Sequence, residues 1–228
     1  MLKQGQISFE NTALMLIDMQ YEASPEGSWK THDWDSIVIN AKKVLEASRE
    51  RGIPTIYVRI AKRPDGIDAH EFDQRNEKGE LSYSSVKGTR GAEIVEELKP
   101  RPKDVVVDKQ RFSAFYQTNL EIILQGLKVK HLIMCGVFTD SCFLTSVYDA
   151  FFRGFRISIV KDACGAGTEA AHKSSILDMA NWIYGCRMFR AEEMVKALRQ
   201  EEYKCWCWEE PNTMAYSIDT INQLYDRI

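Results

Sequence analysis

The chain has no long apolar run, no excess of one charge and no paired-cysteine spacing, and each absence closes off a class of protein. No uninterrupted run approaches the roughly 18 apolar residues that a membrane-spanning helix needs. The opening Met1-Leu2-Lys3-Gln4-Gly5-Gln6 lacks the apolar segment of a secretory signal, so a cytoplasmic location is expected. Thirty Lys and Arg against 33 Asp and Glu leave a net charge of −3, which gives no footing to nucleic acid or an anionic membrane as partners. Six cysteines in 228 residues are too few for a disulfide scaffold at this size. Cys164, Cys186, Cys205 and Cys207 make no CxxC step. The Cys205-Trp206-Cys207 step has no second pair or histidine cluster beside it and is read as packing. No metal site and no cofactor is assigned.

What is present is an alternation of short apolar runs with amphipathic stretches from end to end. Strands are predicted at Thr12–Asp18, Ile53–Ile60, Lys103–Asp108, Lys130–Val137 and Arg156–Val160, with a short sixth at Arg187–Phe189. Helices are predicted at Asp35–Arg51, Gly91–Leu98, Thr118–Gln125, Asp140–Arg153, Glu169–Trp182 and Ala191–Arg199. Repeated βα units predict a single α/β domain, a parallel sheet covered by helices on both faces. Residues 61–88 are polar, charged and glycine-bearing, a loop long enough to be functional or mobile. After Arg199 the rhythm breaks. An aromatic stretch, Tyr203–Trp208, and an amphipathic Ser217–Ile228 form a C-terminal extension expected to pack on its own domain or, the favoured choice, on a second subunit.

Three of the apolar runs end on reactive side chains: Asp18 after Ala13–Ile17, Lys109 after Val105–Asp108, and Cys142 shortly after Leu132–Val137. Ligands of open parallel sheets bind outside the carboxyl ends of the strands. A carboxylate, an ammonium and a thiol on one rim are the parts of a nucleophilic attack on a carbonyl carbon. Taken singly, each has an ordinary explanation: a solvated lysine, a surface aspartate, a cysteine acting as a small hydrophobe. Their coincidence at three strand ends carries the functional reading. Cys142 opens a predicted helix, whose N-terminal end is expected to lower the thiol pKa and to offer free N–H groups to an oxyanion.

The segments Leu14–Gln20, Val106–Phe115 and Gly136–Cys142, with Asp149-Ala150 and Gly154-Phe155 beyond, resemble the isochorismatase-like cysteine hydrolases. That family includes nicotinamidases, N-carbamoylsarcosine amidases, and biuret and ureidoacrylate hydrolases. The resemblance spans roughly residues 11–189 and implies a three-layer α/β/α fold with a six-stranded, mostly parallel sheet. It places the catalytic residues on Asp18, Lys109 and Cys142 and the backbone oxyanion hole at Phe138 and Cys142. A non-proline cis peptide would fall at Val137–Phe138. Where nicotinamidases carry an Asp-x-His…His metal site, this chain has Val58–Arg63. Asp68-Ala69-His70 lies further on without a second histidine near it, and is read as a solvated loop. Isochorismate-cleaving members tend to lack the cysteine, so Cys142 favours a C–N hydrolase.

The expected activity is cysteine amidohydrolysis of a small amide, ureido or N-carbamoyl compound through a thioester, releasing ammonia. Gln20, Trp29, Arg111 and Phe115 are the candidate substrate-binding residues. Phe112, Phe138 and Trp34 are further possible walls, Ala23 stands where the family has an aromatic, and Arg59, Lys62 and Arg63 are read as solvated charges. Relatives are commonly dimers or tetramers, so a homo-oligomer is expected. The alternatives are an idle, thiol-sensing member of the same fold, and a nicotinamidase or isochorismatase-type hydrolase.

Overall fold

The computed structural model describes residues 7–73, 75–81 and 85–228, and the backbone of residues 2 and 3. Part of the predicted 61–88 loop therefore lies outside the described residues. In chain order the elements are β1 (Leu2–Lys3), β2 (Thr12–Ile17), α1 (Trp34–Glu50), β3 (Thr55–Ile60), β4 (Val105–Lys109), α2 (Leu120–Gly126), β5 (His131–Val137), α3 (Cys142–Phe152), β6 (Arg156–Gly165), α4 (Glu169–Trp182), β7 (Arg187–Phe189), α5 (Ala191–Leu198), β8 (Cys205–Cys207) and α6 (Ile221–Arg227). One sheet runs β1-β8-β7-β6-β5-β2-β3-β4. The six strands from β7 to β4 are parallel. Two short antiparallel strands, β8 and β1, extend one edge, so among the described residues the sheet has eight strands where six were expected.

Strand alternation explains the layering. Ala13, Met15 and Ile17 of β2 face a core shared with α2, α3 and α4, whereas Leu14 and Leu16 face one shared with α1 and α5. A strand buried on both faces must be apolar or have its polar groups bonded, and β2 is apolar from Ala13 to Ile17, with the Thr12 hydroxyl bonded to His131. Helix α1 buries Trp34, Ile37, Val38, Ala41, Val44 and Leu45 at three- and four-residue spacing. It stops at Gly52, which adopts φ +75°. The result is a three-layer α/β/α fold. Among the described residues no helix is long and apolar enough to cross a membrane.

The predicted helix at Gly91–Leu98 is instead two 3-10 turns, Arg90–Ala92 and Glu96–Leu98. The residues between are drawn into extended pairing: Tyr21 N–H donates to Glu93 O at 3.0 Å and Val95 N–H to Met19 O at 3.1 Å. Tertiary pairing has overridden local helical preference. Strand β6 runs on to Gly165 after a register shift opposite Met134 and Gly136. The C-terminal extension packs on its own chain. Trp206, Met214 and Ile228 are buried in the core beside α4, and Lys161 Nζ donates to Tyr225 O at 2.6 Å.

The order of strands places the site. The parallel part of the sheet starts in the middle at β2, moves outward through β3 and β4, then returns to the other side of β2 as β5. Between β2 and β5 the winding reverses, and a crevice opens beyond their carboxyl ends.

Candidate active site

Asp18 is the first residue past β2 and adopts a left-handed φ of 51°, which aspartate tolerates better than most residues. Its N–H donates to Val58 O and its own carbonyl accepts from Gln20 N–H, each at 2.8 Å. The turn keeps the carboxylate buried at 5% exposure. Oδ2 accepts from Lys109 Nζ at 2.9 Å. Oδ1 has no hydrogen-bond partner among the described residues and is the atom left to take a proton.

Lys109 closes β4, two strands away, and its fully buried side chain reaches across the end of β3 to Asp18. A second bond, 3.2 Å long, goes from Nζ to Arg111 O. Burial pulls the lysine pKa down, but the negative charge of Asp18, helped by Cys142, outweighs it and the net shift is upward. Lys109 stays an ammonium.

Cys142 is the first residue of α3 and 3% exposed. Its thiol is pushed up to about 12, by burial first and the Asp18 charge second, with Lys109 opposing. The expected lowering by the helix end is thus overturned: desolvation and a neighbouring carboxylate exceed what one helix terminus supplies. At neutral pH Cys142 is a protonated thiol beside the Asp18 carboxylate.

Between β5 and α3 the Val137–Phe138 peptide is cis. In this turn Thr139 N–H donates to Gly165 O at 2.8 Å, and the N–H groups of Ser141 and Phe143 both donate to Phe138 O at 3.0 Å. The N–H groups of Phe138 and Cys142 are not used in those bonds. Gly136, at φ 132°, lets β5 approach β2 closely, for a Cβ there would sit 2.1 Å from Ile17 O. The segment after Lys109 is pinned to α3: Ser113 bonds Asp149, Ala114 N–H donates to Ser146 Oγ at 2.9 Å, and Ser146 Oγ donates to Cys142 O at 2.6 Å.

A cavity of about 520 Å³ opens over these groups, walled by Trp29, Phe112, Phe138 and Arg111 beside Asp18 and Cys142. Trp29 is 48% exposed and lies 6.4 Å from Phe138, ring to ring. Arg111 is held by its Nη1, which donates to Asp68 O and Gln110 O at 2.9 Å each. Gln20 lines the cavity, but its amide is occupied. Nε2 donates to Ile60 O and Ala92 O, and Oε1 accepts from Ile60 N–H. It braces the end of β3 instead of offering itself to a ligand. Phe115, expected to bind substrate, is instead buried in the core against Phe155 and beneath Arg153, and the wall is Phe112. Trp34 is also core.

Arg59 pairs with Asp108 at 2.7 Å and the exposed Arg63 with Asp65. Lys62, against the expectation of a solvated charge, is buried, pairs with Asp73 and lines the cavity. Ala23 lines it too, and His70, exposed as a solvated loop residue would be, stacks on Phe72 at 4.7 Å at the cavity rim. Gly136 had a signal in the sequence, a glycine interrupting a buried apolar strand. Lys62 had none, since a lysine just past a strand end reads as solvated.

A buried thiol, carboxylate and ammonium at the switch point of a doubly wound sheet define a cysteine-hydrolase type of site. Comparison with known proteins agrees. Residues 12–204 match the isochorismatase domain, and the chain belongs to that family of hydrolases. It is 38% identical over 176 residues to a probable inactive nicotinamidase of Arabidopsis thaliana, covering 76% of this chain and 90% of the relative. It is 27% identical over 189 residues to the ureidoacrylate amidohydrolase RutB of Pantoea ananatis, covering 75% and 76%. The crystal structure of a cysteine hydrolase from Pseudomonas syringae pv. phaseolicola superposes with a TM-score of 0.78 at 26% identity, over 88% of this chain and 98% of the other.

Proposed function

We propose that this protein is a cysteine amidohydrolase that cleaves the C–N bond of a small amide, ureido or N-carbamoyl compound and releases ammonia. The observation that carries the reading is that Asp18 and Cys142 line one cavity while the fully buried Lys109 pairs with Asp18 at 2.9 Å.

Asp18 Oδ1 accepts the thiol proton as Cys142 Sγ attacks the carbonyl carbon. Lys109 holds the carboxylate in place and balances its charge. The tetrahedral oxyanion is held by the Phe138 and Cys142 N–H groups. Asp18 returns the proton to the nitrogen, the C–N bond breaks and ammonia leaves. Water, deprotonated by Asp18, then attacks the thioester; the acid is released and the thiol regains its proton. Because the resting thiol is protonated, base and nucleophile must act together, which the shared burial of Asp18 and Cys142 supports.

Arg111 supports a substrate that carries a carboxylate at its far end. Its Nη1 is anchored on two backbone carbonyls, and no acidic partner is found among the described residues, so Nε and Nη2 are left for a bidentate acid. The name of the Pantoea relative, a ureidoacrylate amidohydrolase, agrees with a ureido acid. A second reading, an idle thiol-sensing protein, draws on the Arabidopsis relative, described as inactive. The high thiol pKa argues against it, since a protonated thiol is slow to oxidise.

The test is ammonia release from a panel of N-carbamoyl acids, biuret, ureidoacrylate, maleamate, nicotinamide and simple amides, with Cys142→Ala as control. Release lost in Cys142→Ala is the expected result. Release that survives the substitution would sink the scheme.

A further inference from the structure

The turn that carries the oxyanion donors is tied to the C-terminal helix by a line of side-chain hydrogen bonds. Thr139, next to Phe138, is fully buried. Its Oγ1 lies 3.3 Å from His172 Nδ1 on α4. The other ring nitrogen, His172 Nε2, lies 2.9 Å from the Tyr225 hydroxyl on α6, and the two rings meet edge to face at 5.5 Å. Tyr225 is itself anchored. Lys161 Nζ donates to its carbonyl at 2.6 Å and sits 4.1 Å over its ring, and Lys173 holds Asn222 of the same helix at 2.7 Å.

Burial first, then the charges of Lys161 and Lys173, hold His172 down to about 4. At neutral pH the ring is uncharged, so one nitrogen donates and the other accepts. The two bonds therefore fix each other. If the tyrosine hydroxyl donates to Nε2, Nδ1 carries the hydrogen and donates to Thr139; in the reverse arrangement Thr139 donates and Tyr225 accepts. Removing the hydroxyl leaves the tautomer unset and frees the Thr139 side chain to turn.

We propose that Tyr225 and His172 are positioning residues for the oxyanion turn, acting on Phe138 through Thr139, so that the C-terminal helix sets the quality of the oxyanion hole. This rests on the cysteine-nucleophile reading above. Neither residue touches the reacting atoms; their effect falls on reactions that build a tetrahedral oxyanion and spares those that only need the thiol.

Two reactions of Cys142 separate these. With p-nitrophenyl acetate, Sγ attacks the ester carbonyl, the C–O bond breaks, an S-acetyl bond forms, p-nitrophenolate leaves and the thiol proton passes to Asp18. With iodoacetamide, Sγ displaces iodide at a saturated carbon and no oxyanion forms. In Tyr225→Phe and in His172→Gln the p-nitrophenolate burst should slow about tenfold, the loss of roughly one well-placed hydrogen bond. Iodoacetamide alkylation should stay within about twofold of wild type, because that reaction makes no use of the hole. The double variant should be no slower than the slower single one, since both act along one line. An unchanged burst in Tyr225→Phe, additive losses in the double variant, or equal slowing of both reactions would each overturn the proposal. A wild-type protein with no Cys142-dependent burst would remove the nucleophile reading, and this inference with it.

Discussion

Lys109 Nζ and Asp18 Oδ2 lie 2.9 Å apart, with the two side chains 0% and 7% exposed. This ion pair is made across an intervening strand and kept from water. Removing one member of such a pair leaves an uncompensated charge, which typically costs about 3–5 kcal/mol. Lys109→Met and Asp18→Asn should each lose activity and stability, and Asp18→Asn should still bind substrate. The double variant should be more stable than the sum of the two losses implies. Denaturant midpoints of the four proteins test this, and strict additivity would show that the pair is not coupled.

The upward shift of the Cys142 thiol fixes how the free enzyme meets an alkylating agent. Below a pKa of about 12 the thiolate fraction rises about tenfold per pH unit. Iodoacetamide alkylation of Cys142 should therefore climb steadily from pH 7 to 10. A plateau at neutral pH would mean a resting thiolate and would contradict the concerted proton transfer.

Two buried histidines make the fold sensitive to mild acid. His131, between Thr12 and Ser158, and His172 are both held down to about 4, chiefly by burial. In the unfolded chain each titrates near 6.5, so between about 6.5 and 4 the unfolded state binds protons that the folded state refuses. Stability is full above that window and is lost as pH falls through it, by on the order of 2–3 kcal/mol per histidine. Urea midpoints should drop across this range, and His131→Gln should flatten part of the slope. An unchanged slope in His131→Gln would remove that residue from the account.

Gly136→Ala should yield no correctly folded protein or one with a displaced Asp18. The new Cβ would meet the Ile17 carbonyl at 2.1 Å, and backbone cannot move aside as a side chain tip can. Loss of soluble protein, or a collapse of both thermal stability and activity, is the expected outcome; near-wild-type behaviour would show that β5 can shift off β2.

Arg111→Gln should raise KM for acid-bearing ureido substrates by about tenfold to a hundredfold while leaving neutral amides nearly unaffected, as loss of a charge-assisted fork would. Steady-state kinetics on an N-carbamoyl acid and its methyl ester decide it. An equal effect on both would remove Arg111 from acid recognition.

Much of this was legible in the sequence because it depends on period and position. Helix α4 at Glu169–Trp182 and strand β7 at Arg187–Phe189 fall where the pattern put them. The three reactive residues were visible because each follows an apolar run. What stayed hidden depends on depth. The direction of the Cys142 shift turns on how completely α3 and the Asp18 turn exclude water, which no local pattern records. Phe115 and Phe112 look alike in the sequence, and only the Ser113–Asp149 and Ala114–Ser146 bonds decide which ring goes to the core. The 91–98 segment has helical composition but is claimed by pairing with Met19 and Tyr21, a contact between distant parts of the chain. Strand β8, next to the edge strand β1, is three residues long, too short for alternation to register.

The loop between β3 and β4 supplies Lys62, His70, Phe72, Asp73 and Ser85 to the cavity wall, whereas Asp18 and Lys109 stand at strand ends and Cys142 at the start of α3. Reagent and template are therefore carried on separable parts of the chain. The strand ends form a chassis that can be kept intact while the connecting segment is exchanged for that of another member of the fold, so a graft of residues 61–88 should move substrate preference and leave the chemistry in place.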